Sequence, residues 1–115
     1  MQKAIFASFY IKLNKVKKIE TTINCLCIPR VLSSISEKQI KNIFDSVKIG
    51  IIDRIDIVGK KGDKHNRVFI HIKKWFATEN AVIAQERFQN NQDIKIIYED
   101  PWFWKISVYK KTKNY

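Results

Sequence analysis

Hydrophobic and polar residues alternate along several short stretches of the chain, a pattern typical of β-strands with one buried face. In residues 24–30, Leu26 and Ile28 fall on one face of the predicted strand, and Cys25 and Cys27 fall on the other. The further predicted strands, which alternate or are rich in β-branched residues, are 51–58, 67–73, 94–98 and 103–110. The pattern therefore predicts five strands after residue 23.

Two of these strands separate an apolar face from a face with candidate chemistry. The apolar positions of 67–73 and 103–110 are Val68, Ile70, Ile72, Trp104, Ile106 and Val108. The opposite positions are Arg67, Phe69, His71, Lys105, Ser107 and Tyr109. We expect the first set to face the core and the second to face outward.

Two helices are predicted from their start signals and their periodicity. Ser36 is a good N-cap, and Gln39 three residues later completes a capping box. The apolar positions that follow at helical spacing are Ile40, Ile43, Phe44 and Val47, and Gly50 is expected to stop this helix. A second helix is expected after the N-cap Thr78, with an apolar face made by Ala81, Ala84 and Phe88 and an end at 90–93.

The predicted order is β-α-β-β-α-β, with an extra short strand, 94–98, before the last. This is the split βαβ, or ferredoxin-like, α+β arrangement, in which two helices cover one face of a four-stranded antiparallel sheet. The polar, glycine-containing loop 59–66 joins an antiparallel pair.

Charge is concentrated at the two ends of the sequence. The 115 residues carry a formal net charge of +11. Residues 1–23 hold five lysines and one glutamate, and residues 101–115 hold four lysines and no acid, so the ends supply +8 of the total. Such a field indicates a polyanionic partner, although a basic end can also serve only as a solubilising tail.

The chain is predicted to be intracellular, in the host cell or virion if it is viral, and no membrane partner is expected. No stretch reaches the roughly 18–20 apolar residues that span a bilayer. The short apolar run 4–11 is not followed by a small-residue cleavage site. Two cysteines are too few for a disulfide framework.

Residues 24–110 resemble the RNA-recognition motif (RRM) family. The family's hexamer on the first strand corresponds to Leu26-Cys27-Ile28-Pro29-Arg30-Val31, and its octamer on the third strand to His65-Asn66-Arg67-Val68-Phe69-Ile70-His71-Ile72. The second helix matches the family at Ala81, Ala84, Phe88 and Asn90, and the first at Ile40, Phe44 and Gly50. The isoleucine and lysine bias and the segment 98–105 are more loosely similar to small RRM-like proteins of large nucleocytoplasmic DNA viruses. Residues 1–23 then form a basic N-terminal arm, in which 5–13 could form a strand or an amphipathic turn, and 111–115 a basic C-terminal tail.

The resemblance implies that single-stranded RNA stacks on aromatic side chains of the sheet. Phe69 keeps one of the three aromatic positions, whereas Cys27 and Arg67 replace the other two. The expected nucleic-acid-binding residues, on the sheet face, the 59–66 loop and the strand ends, are Arg30, Lys60, Lys61, Lys64, Arg67, Phe69, His71, Lys105, Tyr109 and Lys110. RNA is favoured over DNA as the partner.

An alternative stays open because the aromatic platform is reduced. A sheet face with few aromatic residues is also expected where the face is covered. The N-terminal arm, the C-terminal tail or another protein could lie on it. The chain would then be a protein-interaction or virion-structural module. Trp104 is expected in the core with Trp102 and Phe103 capping its edge; exposure of Trp102 or Phe103 would indicate a protein contact or stacking site.

Enzyme activity, a metal and a cofactor are not expected. Cys25, Cys27 and His71 could share a face, but they lack a fourth ligand and a zinc-like spacing. The sequence has no phosphate-binding glycine loop and no H-E-x-x-H or G-x-S-x-G motif, and no pair of acids stands out as general acid and base.

Overall fold

A computed structural model describes residues 5–6 and 23–109 of the chain. Within them the fold is α+β, with six strands and two helices. The strands are β1 (Ile5–Phe6), β2 (Cys25–Leu32), β3 (Gly50–Gly59), β4 (His65–Trp75), β5 (Ile94–Glu99) and β6 (Trp102–Val108). The helices are α1 (Glu37–Ser46), between β2 and β3, and α2 (Glu79–Gln89), between β4 and β5.

The strands form one antiparallel sheet in the order β1-β5-β6-β2-β4-β3. The prediction of a four-stranded sheet plus one short extra strand is therefore wrong in count, because the sheet has six strands, and wrong in order, because β6 is not an edge strand but has β5 and β1 outside it. β5 pairs with β6 along most of its length, and β1 adds a further strand outside β5 through the pairs Ile5↔Ile97 and Phe6↔Ile96. β1 lies in the predicted N-terminal arm, and the rest of that arm lies outside the described residues.

Both helices begin at the predicted residues. The hydroxyl of Ser36 accepts a hydrogen bond from the amide of Gln39, whose side chain accepts one from the amide of Ser36, so the capping box is complete. The hydroxyl of Thr78 accepts from the amide of Ala81 in the same way. The predicted stop at Gly50 is wrong: α1 ends at Ser46, and Lys48, not glycine, takes the left-handed conformation, with a φ of 58°.

The core lies between the helices and one face of the sheet. Its fully buried members include Leu26 and Ile28 of β2, Ile70 of β4, and Phe44 and Phe88 of the helices. These are positions of the predicted apolar faces, and the strand alternation is confirmed. Because both helices pack on this side, the opposite side of the sheet carries no helix of the described part of the chain.

Trp104 is buried as predicted, but the prediction that Trp102 and Phe103 belong to the core edge is wrong. Their side chains are 63% and 47% exposed, respectively. β6 begins at Trp102, and the buried positions of that strand are Trp104 and Ile106. Phe103 alternates with Trp104 and Ile106 and therefore lies on the face opposite the helices, whereas Trp102 begins the strand on the same side as Trp104.

Neither helix in the described residues combines the length and apolar character that crossing a membrane would require.

Candidate nucleic-acid interface

The sheet face opposite the helices, hereafter the open face, collects the side chains that alternate with the core positions. Strand register sets their neighbours: Cys27 of β2 lies opposite Phe69 of β4 and Ser107 of β6, and Phe69 lies opposite Asp56 of β3. The predicted residues on this face are Arg67, Phe69, His71, Lys105 and Tyr109. The structure thus brings together five of the ten predicted binding residues on one surface.

Phe69 and Tyr109 form the aromatic centre of the open face. Their ring centroids lie 4.9 Å apart with an interplanar angle of 71°, an edge-to-face arrangement. The amide of Tyr109 donates to the carbonyl oxygen of Cys25 over 3.0 Å, which continues the β6–β2 pairing past Val108. Tyr109 remains 44% exposed and Phe69 is half-buried, so both rings keep surface that a planar base could cover.

His71 is held by an acidic residue that the sequence reasoning did not include. Nε2 of His71 lies 2.9 Å from Oδ2 of Asp56, and Nε of Arg54 lies 3.5 Å from the same oxygen. The hydrogen bond from His71, followed by the charge of Arg54, lowers the pKa of Asp56 below its usual value. The alternation Arg54-x-Asp56 on β3 was the available signal for two charged side chains on this face.

The carboxylate of Asp56 would repel a phosphate if it stood alone next to Phe69. Nε of Arg54 and Nε2 of His71 both contact its Oδ2, so the guanidinium charge of Arg54 offsets the carboxylate charge and the ring of His71 lies against the same oxygen. The part of the open face around Phe69 can therefore accept a polyanion despite the acid.

Cys25 and Cys27 share the open face with His71, and both are free thiols. Burial raises the pKa of both thiols above the usual cysteine value; for Cys25 the neighbouring Cys27 and Asp56 raise it further. No group of three potential metal ligands forms among residues 5–6 and 23–109. Cys27 lies directly opposite Phe69 and Cys25 directly opposite His71, so two small side chains of β2 lie beside larger side chains of β4.

A bulge places Arg30 on the open-face side of the sheet. β2 and β4 pair as Ile28↔Val68 and then Val31↔Asn66, so Pro29 and Arg30 together oppose the single residue Arg67. Ile28 and Val31 on either side are buried, whereas Pro29 and Arg30 are exposed. The bulge thus brings two arginines, Arg30 and Arg67, to neighbouring positions.

The basic loop, defined here as residues 60–64 between β3 and β4, lies beside Arg30. Its three lysines, Lys60, Lys61 and Lys64, are exposed, and together with Arg30 and His65 they line an open depression of about 560 Å³. The amide of Ser33 donates to the carbonyl oxygen of Lys64 over 2.8 Å, which fastens the loop to the end of β2. Four of the predicted cations therefore form one cluster.

Lys105 lies on the open face but already has a partner. Its Nζ is 3.5 Å from Oδ2 of Asp93. Next to it, Nζ of Lys95 lies 4.8 Å from the centre of the Phe103 ring, a cation–π contact that sequence reasoning missed because it joins two strands. Lys110, the last of the predicted binding residues, lies outside the described residues.

No family model matches this chain, and no match was found among curated proteins or among solved structures.

Proposed function

We propose that this domain binds single-stranded nucleic acid, RNA in preference to DNA, on the open face. The observation that carries the proposal is the edge-to-face pair of the half-buried Phe69 and the exposed Tyr109, with Arg67 on the same face. Aromatic rings offer stacking surface to any base, and stacking contributes about 1–3 kcal/mol per base. The arginines and lysines around the pair would contact phosphates, which favours affinity without reading sequence.

The proposal extends to the fold family. The four neighbouring strands β6-β2-β4-β3 run in the order 4-1-3-2 when numbered among themselves, which is the order expected for an RRM-like, ferredoxin-like sheet. β5 and β1 then extend that sheet beyond β6. This order supports a divergent RRM-like domain in which Tyr109, at the end of β6, supplies a second aromatic ring beside Phe69.

The layout of charge supports a strand of nucleic acid that runs along β2. The basic loop lies next to the end of β2, since Leu32 pairs with His65. Cys25 and Tyr109 lie at the other end of β2. A bound strand would meet the cations of the basic loop at one end of β2 and the aromatic pair toward the other.

The direct test is a titration of the full chain with a short fluorescently labelled single-stranded RNA, followed by anisotropy over a series of salt concentrations. The dissociation constant is expected to rise with salt, with a slope of about −0.7 in log affinity per phosphate neutralised. Phe69→Ala and Tyr109→Ala should each weaken binding. Phe69→Tyr should bind like the wild type because the aromatic ring is kept. Lys61→Gln should lower the salt slope.

Trp102→Ala is the matched control, since Trp102 is an exposed aromatic residue whose position in β6 alternates with the open-face residues. Loss of binding in this variant, or binding unaffected by Phe69→Ala and Tyr109→Ala, would contradict stacking on the open face. Absence of binding at low salt would overturn the proposed function altogether.

The exposure of Trp102 and Phe103 favours a second candidate, a protein-interaction or virion-structural module. Two large aromatic side chains at the start of β6 are the kind of residue that dominates protein interfaces. RNA binding that is independent of Phe69 and Tyr109, together with a protein partner lost in Trp102→Ala, would support this candidate instead.

A further inference from the structure

β3 ends the sheet on the side away from β1, and within the described residues it is hydrogen-bonded only to β4. It is ten residues long, whereas β1 at the opposite edge has two. An edge strand presents a row of main-chain N–H and C=O groups to its outer side, and these groups can pair with another strand. β3 is thus the long edge available for pairing.

The second half of β3 has few of the features that normally protect an edge. Pairing with β4 is irregular near Ile52, but it runs without a break from Arg54 to Gly59. In this regular part Ile57 and Val58 are 38% and 53% exposed, and the strand contains no lysine or proline. Charged side chains, prolines and bulges are the usual means by which edges avoid association.

β3 also differs in charge from three of the other strands. It carries two aspartates and one arginine, whereas β2, β4 and β6 each carry more basic than acidic residues. Two copies of a chain with a net charge of +11 repel each other overall. The β3 edge, which carries one more acid than base, does not add to this repulsion.

Two copies that join edge to edge with their open faces on the same side must pair residues from the same face. A two-fold axis at Arg54 would place Arg54 of one copy opposite Arg54 of the other. An axis at Asp56 would likewise place the two Asp56 carboxylates opposite each other. An axis at Ile55 places Arg54 opposite Asp56 twice. Like charges directly opposite destabilise an antiparallel pair, and opposite charges stabilise it.

Moving the axis further along β3 would bring the two basic loops together, because the basic loop follows Gly59 directly. An axis at Ile55 instead keeps the loops at opposite ends of the joined strands. His71 and Arg54 both contact Oδ2 of Asp56, an arrangement compatible with a second arginine at Oδ1.

We propose that a second copy of this chain binds antiparallel along β3, across a two-fold axis at Ile55, with Arg54 of each copy facing Asp56 of the other. The two sheets then join along β3, in which residues 54–56 of the two copies pair with each other and residues 57–59 of each copy lie opposite 51–53 of the other. This inference does not rest on the proposed nucleic-acid binding, since it uses the edge of the sheet rather than its open face.

Charge exchange tests the proposal and its register together. The mass of the full chain would be measured by sedimentation equilibrium over a range of concentrations. Wild type should dimerise. Arg54→Asp and Asp56→Arg should each raise the dimer dissociation constant by about tenfold or more, because two opposite-charge pairs become two like-charge pairs. The double variant R54D/D56R should dimerise again, and a mixture of the two single variants should form a heterodimer.

Arg67→Asp is the matched control, since Arg67 is exposed on the same face but belongs to the interior strand β4. Thermal melts of every variant establish that each one folds. A wild type that stays monomeric, or a dimer that Arg54→Asp leaves intact, would overturn the proposal. A monomer that binds RNA would support the proposed function and contradict this inference. A dimer that does not bind RNA would support this inference and contradict the proposed function.

Discussion

The rings of Phe69 and Tyr109 meet edge to face although their residues are forty positions apart in the sequence, with centroids 4.9 Å apart. Phe69 belongs to the interior strand β4, and Tyr109 follows the last strand, β6. The contact crosses β2, where the small Cys27 lies opposite Phe69 and the small Cys25 is hydrogen-bonded to Tyr109. A larger residue at Cys27 would occupy the space that the two rings share.

We expect the Phe69–Tyr109 pair to contribute to stability independently of any ligand. Edge-to-face pairs contribute about 0.5–1.5 kcal/mol beyond the area they bury. A double-mutant cycle with Phe69→Leu and Tyr109→Leu, followed by urea unfolding, should return a coupling energy in that range. Additive effects of the two substitutions would show that the contact is energetically neutral.

The hydrogen bond between His71 and Asp56 predicts a specific dependence of stability on pH. The folded state lowers the pKa of Asp56, so the unfolded state binds more protons in the acid range. This contribution is fully present above the usual pKa of aspartate and is lost as the pH falls through the lowered folded-state value. Asp56→Asn should remove that part of the pH dependence, measured as urea midpoints at a series of pH values.

The same pair can be observed directly by NMR titration of the Asp56 carboxyl group. His71→Leu should raise the pKa of Asp56 toward its usual value, although Arg54 continues to hold it down. The control is His65→Leu, which removes the other histidine of the chain. An unchanged Asp56 pKa in His71→Leu would show that His71 is not the main cause.

Burial of Cys25 and Cys27 predicts slow thiol chemistry. Because the thiolate is the nucleophile, a raised pKa shifts the rise in alkylation rate to higher pH. The alkylation rate would be measured by iodoacetamide labelling and mass spectrometry over a range of pH, with Cys25→Ser and Cys27→Ser used to assign the sites. The midpoint of the rate increase should lie at a higher pH in the folded chain than in the urea-unfolded chain. Coinciding midpoints would contradict the burial effect.

The capping box at the start of α1 predicts the effect of a single hydroxyl. Ser36→Ala removes the acceptor for the amide of Gln39 and should lower the free energy of unfolding by about 1 kcal/mol. Ser34→Ala, in the exposed turn just before the helix, is the control and should change little. Equal effects of the two substitutions in urea unfolding would argue against a stabilising cap.

Local signals were enough to predict the helices and most of the strands. Ser36 and Thr78 mark the helix starts because their hydroxyls accept hydrogen bonds from main-chain amides only three residues away. Contacts over so short a distance in the chain can be predicted from the sequence. The faces of β4 and β6 followed from alternation, which placed Ile70 in the core and Phe69 outside. The end of α1 was harder to predict, since Lys48 adopts a left-handed conformation that glycine adopts more readily.

Long-range relationships were not predictable in the same way. β1 has two residues, too few for a periodic pattern, and it is a strand only because β5 offers an edge. The pairing of His71 with Asp56 depends on the irregular register between β3 and β4, where Asp53 is an extra residue. The exposure of Trp102 depends on how far the helices reach over β6, which its apolar character does not reveal.

The bulge in β2 makes the chain unusually tolerant at one position. Pro29 and Arg30 together occupy the place of one residue opposite Arg67, so the alternation of buried positions would be continuous without Pro29. Deletion of Pro29 would leave Arg30 between Ile28 and Val31, and both Ile28 and Val31 would still face the core. Deletion of a residue outside the bulge would instead move every side chain beyond it to the opposite face of the sheet. The Pro29–Arg30 bulge is therefore a place in β2 where a chain of this fold can lose a residue during evolution without turning its core positions outward.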